Sequence, residues 1–189
     1  MTTVAVIDYG AGNLTSLRYA LQRCGASEVL ITKDKHIINS ADRVIFPGVG
    51  HARFAMDKLQ QTGLSELIPR LEQPVLGICL GMQLMCRHSE EGDVIGLGIF
   101  DAEVKRFNHG LKVPHMGWNI VQYDGHPQKN QYYYFVHSYY AADSDDTLAR
   151  SEYGLSFSAV LAHHNFLGCQ FHPEKSGESG EQFLKSFLQ

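Results

Sequence analysis

Four short apolar runs, each ended by a turn former or a polar residue, constrain this chain more than any other feature. TVAVID (3–8), EVLIT (28–32), RVIFPG (43–48) and PVLGIC (74–79) carry hydrophobic residues at consecutive positions instead of at every second one. A strand with one wet face alternates; a strand buried on both faces does not. The runs therefore predict a parallel sheet sandwiched between helices. The stretches between them supply those helices: LTSLRYALQRC follows Asn13 in the N-cap position and stops at Gly25, and a second helix is expected near 51–61. From about residue 100 the texture changes, and AEVKRF, NIVQY, YYYFVHSYY, FSAVLAH and LGCQF read as strands separated by Gly, Asn, Asp and Pro. These are expected as antiparallel additions to the same sheet. In the tail EQFLKSFLQ, the pairs Phe183/Phe187 and Leu184/Leu188 recur at i and i+4, as in a helix packed back on the body. The expectation is an α/β fold in three layers, a mainly parallel central sheet flanked by helices with antiparallel additions in the C-terminal half, forming one domain over 1–189.

Composition narrows the functional classes. A net charge of −4 without a block of five like charges argues against nucleic acid as a partner. The start MTTVAVID lacks a basic leader, and no stretch reaches the roughly 18 apolar residues of a membrane span. No membrane association and a cytoplasmic location are expected. Cys24, Cys79, Cys86 and Cys169 form no CxxC pair, so neither a zinc site nor a disulfide framework is indicated, and no metal or cofactor is expected.

Chemistry is sought at strand ends. GICLG (77–81) sets Cys79 between two glycines, directly after an apolar strand and before a helix-like run. This G-x-nucleophile-x-G spacing fits a strand-to-helix elbow, with the central side chain exposed at the rim of the sheet and the following helix favouring thiolate. Taken alone, it fits a buried elbow cysteine without a role equally well. A thiol nucleophile needs a base and the base an orienting partner, and GCQFHPEKSG offers His172 and Glu174 two residues apart, on the same side of an extended chain. FPGVG (46–50), also after a strand, has glycines on both sides of Val49 that would let the loop turn a backbone N–H toward the nucleophile; the N–H of Leu80 would be the second oxyanion donor.

Other features point elsewhere or nowhere. DYGAGN, with Gly10 and Gly12 after the first strand and Asp34 further on, imitates a dinucleotide fingerprint, but Thr15 stands at its third glycine position. His163 and His164 are adjacent, so on a strand they would face opposite ways. The alternating aromatics of YYYFVHSYY are explained by a sheet packed on both faces, and Trp118 by ordinary core or a turn near Pro114 and Gly117.

Together, GICLGMQLM, FPGVG and FHPE resemble the class I, or triad, glutamine amidotransferases. The flanking stretches VAVIDYGAGNLTSL, FPGVGHARFAM, VPHMGWN, YYFVHSYY and QFHPEKSG are similar to the glutaminase subunits of imidazole glycerol phosphate synthase in histidine biosynthesis, from residue 4 to the C-terminus. The resemblance implies that Cys79, His172 and Glu174 are catalytic, and that Val49, Gly50 and Leu80 form the oxyanion hole. It further implies that Gln83, Glu91, Ser138 and Tyr139 hold L-glutamine, and that Asn13, Trp118, Tyr134 and Lys175 lie near a separate (β/α)8-barrel cyclase, the other half of a heterodimer, which receives the ammonia. Gly177 departs from the Gln more usual in that family. The same triad would serve amidotransferases for anthranilate, purine or pyridoxal phosphate synthesis, and a cysteine hydrolase or stress chaperone of similar topology would share GxCxG alone.

Overall fold

A computed structural model describes residues 2–10, 13–108, 110–126 and 130–189. Gly12 of the dinucleotide-like stretch lies outside the described residues. The first half alternates as expected: β1 (Thr3–Ile7), α1 (Leu14–Arg23), β2 (Glu28–Thr32), α2 (Lys35–Ser40), β3 (Arg43–Phe46), α3 (Ala52–Thr62), α4 (Leu64–Leu67), β4 (Val75–Ile78) and α5 (Leu80–Met85). The second half adds β5 (Cys86–Ser89), β6 (Val94–Ile95), β7 (Phe100–Arg106), β8 (His115–Tyr123), β9 (Gln131–His137), β10 (Tyr139–Ala141), β11 (Thr147–Glu152), β12 (Ser156–His163), β13 (Phe166–Cys169) and α6 (Gly177–Leu188). Asn13 caps α1 by accepting the Ser16 N–H at 3.2 Å.

The sheet runs β2-β1-β3-β4-β13-β12-β10-β7-β5-β6, and its first five strands are mutually parallel. The consecutive apolar residues of β1 divide between two cores. Ala5 and Ile7 pack on one face with α3 and α5, while Val4 and Val6 pack on the other with Leu17 and Leu21 of α1 and Leu184 of α6. Two-sided burial is thus why these strands lack alternation. The antiparallel additions join the same sheet through β12, from which β11, β8 and β9 fold out as a ribbon. Two strands depart from the antiparallel expectation: β13, from LGCQF, pairs antiparallel with β12 but lies parallel to β4 on its other side, and β5 lies parallel to β7.

Three local expectations need correction. YYYFVHSYY is not one strand packed on both faces: it breaks at Ser138, and within β9 Tyr133, Phe135 and His137 are buried while Tyr132 is 60% exposed. Trp118 is not core, being 57% exposed on the same outer face, where it lies opposite Tyr134. His163 and His164 do not diverge, because the chain turns at His164 with φ +51° and brings the two rings within 4.2 Å.

Candidate active site

The elbow is built by close approach. A Cβ at Gly81 would lie 1.9 Å from the Phe46 carbonyl, and one at Gly77 would lie 2.9 Å from the Met82 nitrogen. Both glycines of GICLG are therefore required for α5 to start directly against β3 and β4, and Cys79 between them is forced to φ +53° and ψ −110°. A non-glycine residue there is strained by about 1–3 kcal/mol, a feature that clusters at reactive positions. The Cys79 N–H is anchored on the Cys169 carbonyl at 2.8 Å, tying the elbow to the neighbouring strand.

His172 and Glu174 follow that strand. Their pairing does not come from extended chain, as the sequence suggested: Pro173–Lys175 forms a 3-10 turn with proline at its start, which folds the Glu174 carboxylate back on the ring. Nδ1 of His172 donates to Glu174 Oε1 at 2.9 Å, with both side chains buried. This leaves Nε2 buried and free of any conventional hydrogen bond, and the group acting on it is the Cys79 sulfur. Burial alone would push the imidazolium down, but the sulfur's negative charge and the Glu174 carboxylate outweigh it and hold His172 up at about 10. The raised imidazole of His172 thus faces the Cys79 sulfur while Glu174 holds its other nitrogen.

Nine of the residues singled out in the sequence line one cavity of about 400 Å³: Val49, Gly50, Cys79, Leu80, Gln83, Glu91, Ser138, Tyr139 and His172. Glu91 reaches it from the turn after β5 and accepts the Ala52 N–H at 2.9 Å, while Gln83 donates to the Tyr139 carbonyl at 2.7 Å. The FPGVG loop lies at the wall, with Gly50 at φ +102° and the Tyr9 hydroxyl beneath it donating to the Pro47 carbonyl at 2.9 Å. The Leu80 N–H is engaged, donating to the Gly48 carbonyl at 3.4 Å.

The remaining residues sit outside the cavity. Asn13 and Glu174 line a small adjoining hollow. Lys175 Nζ lies 6.0 Å over the Tyr134 ring, and Trp118 meets Tyr134 edge-on at 6.2 Å. This aromatic cluster is wired to the base: the His172 N–H donates to the Tyr134 carbonyl at 2.9 Å, and Ser176 Oγ accepts the Tyr134 N–H while donating to the His172 carbonyl.

One residue was missed in the sequence. Gln170, fully buried, donates Nε2–H to Cys79 Sγ at 3.6 Å. Its position two before His172 in the same run was the available signal.

Among the described residues no cluster of His, Cys, Asp or Glu could hold a metal ion. The class-I glutamine amidotransferase family matches residues 5–189. Among curated relatives, the imidazole glycerol phosphate synthase subunit HisH of Bacteroides thetaiotaomicron is 55% identical over 98% of each chain, and that of Pectobacterium atrosepticum is 46% identical over the same shares. Solved structures share the fold: a glutamine amidotransferase aligns with a TM-score of 0.74 at 18% identity over 98% of each chain. PurLQS from Thermotoga maritima gives 0.72 at 15% identity, over all of this chain and 98% of its own. Matched over nearly its whole length by family and relatives alike, with a cysteine elbow of the expected build, the chain belongs to the class-I glutamine amidotransferase family.

Proposed function

We propose that this chain, as one domain, is the glutaminase subunit of a cytoplasmic imidazole glycerol phosphate synthase in histidine biosynthesis, splitting L-glutamine into glutamate and ammonia for a separate (β/α)8-barrel cyclase. The observation that carries it is the strained Cys79 beside a raised, Glu174-bound His172, on the wall of one cavity large enough for an amino acid. The Cys79 thiolate attacks the carboxamide carbon. His172 takes the thiol proton and passes it to the departing ammonia, and the γ-glutamyl thioester is opened by a water that His172 deprotonates. Glu174 keeps the ring aligned and stabilises its charge. Gln83, Glu91, Ser138 and Tyr139 hold the glutamine.

Val49, Gly50 and Leu80 supply the oxyanion hole, and at rest it is closed by the loop itself, since the Gly48 carbonyl takes the Leu80 N–H. Turning that carbonyl away frees a donor, worth roughly 10²–10³ in rate in comparable acyl transfers. Docking of the cyclase against Asn13, Trp118, Tyr134 and Lys175 would favour the open loop. Gly50→Pro, which imposes a negative φ where the chain holds +102°, should suppress stimulation by the cyclase.

A second reading, in which the chain provides ammonia to another pathway, shares every one of these chemical features. Ammonia release from glutamine, measured with and without the cyclase and its ribonucleotide ligand, separates the two. Turnover retained in Cys79→Ala would refute the mechanism, and turnover indifferent to the cyclase would refute the assignment to this synthase.

A further inference from the structure

Cys79 is bracketed by two side chains of the same run. Gln170 and His172 stand at i and i+2 beyond β13, and both reach the sulfur, His172 as charge and Gln170 as donor. An amide drawn beside sulfur could point either end at it. Here the network leaves no choice.

The Tyr139 carbonyl can only accept, so the Gln83 atom 2.7 Å from it is the amide nitrogen. That same nitrogen uses its second hydrogen on Gln170 at 2.8 Å, so Gln170 turns its oxygen to Gln83 and its NH2 to the sulfur. The far side of the Tyr139 carbonyl is held equally. His137 Nδ1 donates to it at 2.7 Å, His115 Nδ1 donates to His137 Nε2 at 3.0 Å, and Asn119 Nδ2 donates to His115 Nε2 at 3.3 Å. Asn119 is itself fixed, because its nitrogen also donates to the Glu152 carbonyl at 2.8 Å. Both ends of the chain are backbone carbonyls, so the sense of each bond between them follows.

We infer that Gln170 is a further catalytic residue, an N–H donor to the Cys79 thiolate whose amide is held in that orientation by Gln83 and the Tyr139 carbonyl. The inference rests on the proposed nucleophilic role of Cys79. A thiolate in a buried site has lost its water, and a neutral amide with a donor aimed at it restores part of that solvation without adding a charge that would compete with His172. It also fixes the sulfur's direction of attack. A carboxylate at the same place would do the opposite, presenting lone pairs to lone pairs.

The test uses Gln170→Met, which keeps length without a donor, and Gln170→Glu, which keeps the bond from Gln83 but turns an oxygen to the sulfur. Alkylation of Cys79 by iodoacetamide is followed against pH, with the modified residue identified by mass spectrometry, alongside glutamine turnover in the complex with the cyclase. The other groups that act on the sulfur or on its base, His172, Glu174, His137, Cys169 and Tyr9, are unchanged in both variants. The expected result is an alkylation profile displaced to higher pH, more in Gln170→Glu than in Gln170→Met, with turnover reduced roughly ten- to hundredfold. A folded variant with a lower melting temperature but wild-type alkylation profile and turnover would show a packing role only and overturn the inference. If neither variant folds, wild type decides. The Gln170 side-chain amide 15N–H signals should move in step with the alkylation profile, and signals flat across it overturn the inference. Cys79→Ala separates the two levels. Activity surviving there removes the nucleophile itself; activity lost there but unaffected by Gln170→Met removes only the donor.

Discussion

The parallel half of the sheet and the β8–β9 ribbon are both built from strands rich in apolar residues, yet they meet solvent differently. In β1, β3 and β4 both faces are covered, so residues 4–7, 44–46 and 75–78 are all buried. In the ribbon, one face closes over the core through Val121, Tyr133 and Phe135, while Met116, Trp118 and Tyr132 are 57–62% exposed on the other. The first arrangement makes a rigid platform for the elbow. The second leaves an aromatic surface facing outward, joined to His172 directly through the Tyr134 carbonyl and by way of Ser176 Oγ through the Tyr134 N–H. Apolar residues on the platform serve stability, and those on the ribbon's outer face are free to serve recognition.

Substitutions can probe this contrast, and the largest effect should be at the platform's rim. Cys79→Ala is expected to reduce glutamine turnover by a factor of roughly a thousand or more while leaving the fold intact, as read from ammonia release beside a circular-dichroism melt. Next, Phe46→Ala in β3 should cost about 3–5 kcal/mol in denaturant unfolding, whereas Trp118→Ala should shift stability by no more than about 0.5 kcal/mol and instead weaken stimulation by the cyclase. Equal destabilisation by the two would remove the distinction between platform and recognition face.

The two regions should also answer to opposite ends of the pH scale. Beneath the ribbon, burial pushes His137 down to about 3 and His115 down to about 4. The unfolded chain takes protons on these rings below about pH 6.5 and the folded chain does not, so stability falls as pH drops from there. For His137 the slope reaches about 1.4 kcal/mol per pH unit, ending near pH 3, and His137→Gln should flatten it in thermal melts. His172, raised to about 10, behaves in reverse. Its contribution is complete below about pH 6.5 and is lost as pH climbs through about 10; Cys79→Ser, which leaves Glu174 in place, should shrink that alkaline limb. A modest effect is expected for Tyr9→Phe. It removes the hydroxyl under Pro47, costs about 1 kcal/mol, and raises glutaminase activity without the cyclase if the bond restrains the loop; unchanged basal activity would show that the restraint lies elsewhere.

Much of the platform was legible in the chain because its signals are local. Consecutive apolar residues at 4–7 and 44–46, Asn13 as a cap and the helix spacing of 183–188 each follow from contacts within a few residues, and each element formed where expected. The ribbon was less legible: alternation in YYYFVHSYY is the same whether one face or both are covered, and only neighbouring strands decide which. The break at Ser138, where β9 leaves the ribbon's partner and β10 joins β7, leaves no trace in composition.

At the site the division is similar. Residue types and their spacing named the cast: a cysteine between glycines, a His-Pro-Glu run and a glycine loop, which restrict the chemistry to a thiol nucleophile with an oriented base. What those groups are to one another was set in three dimensions. The elbow is strained because Gly77 and Gly81 admit a helix against the sheet, and Glu174 meets His172 through a 3-10 turn. Leu80 is occupied by the loop it would serve, and Gln170 reaches the sulfur from 91 positions away in the chain. Hydrogen-bond direction and burial depend on partners distant in sequence, and no local pattern encodes them.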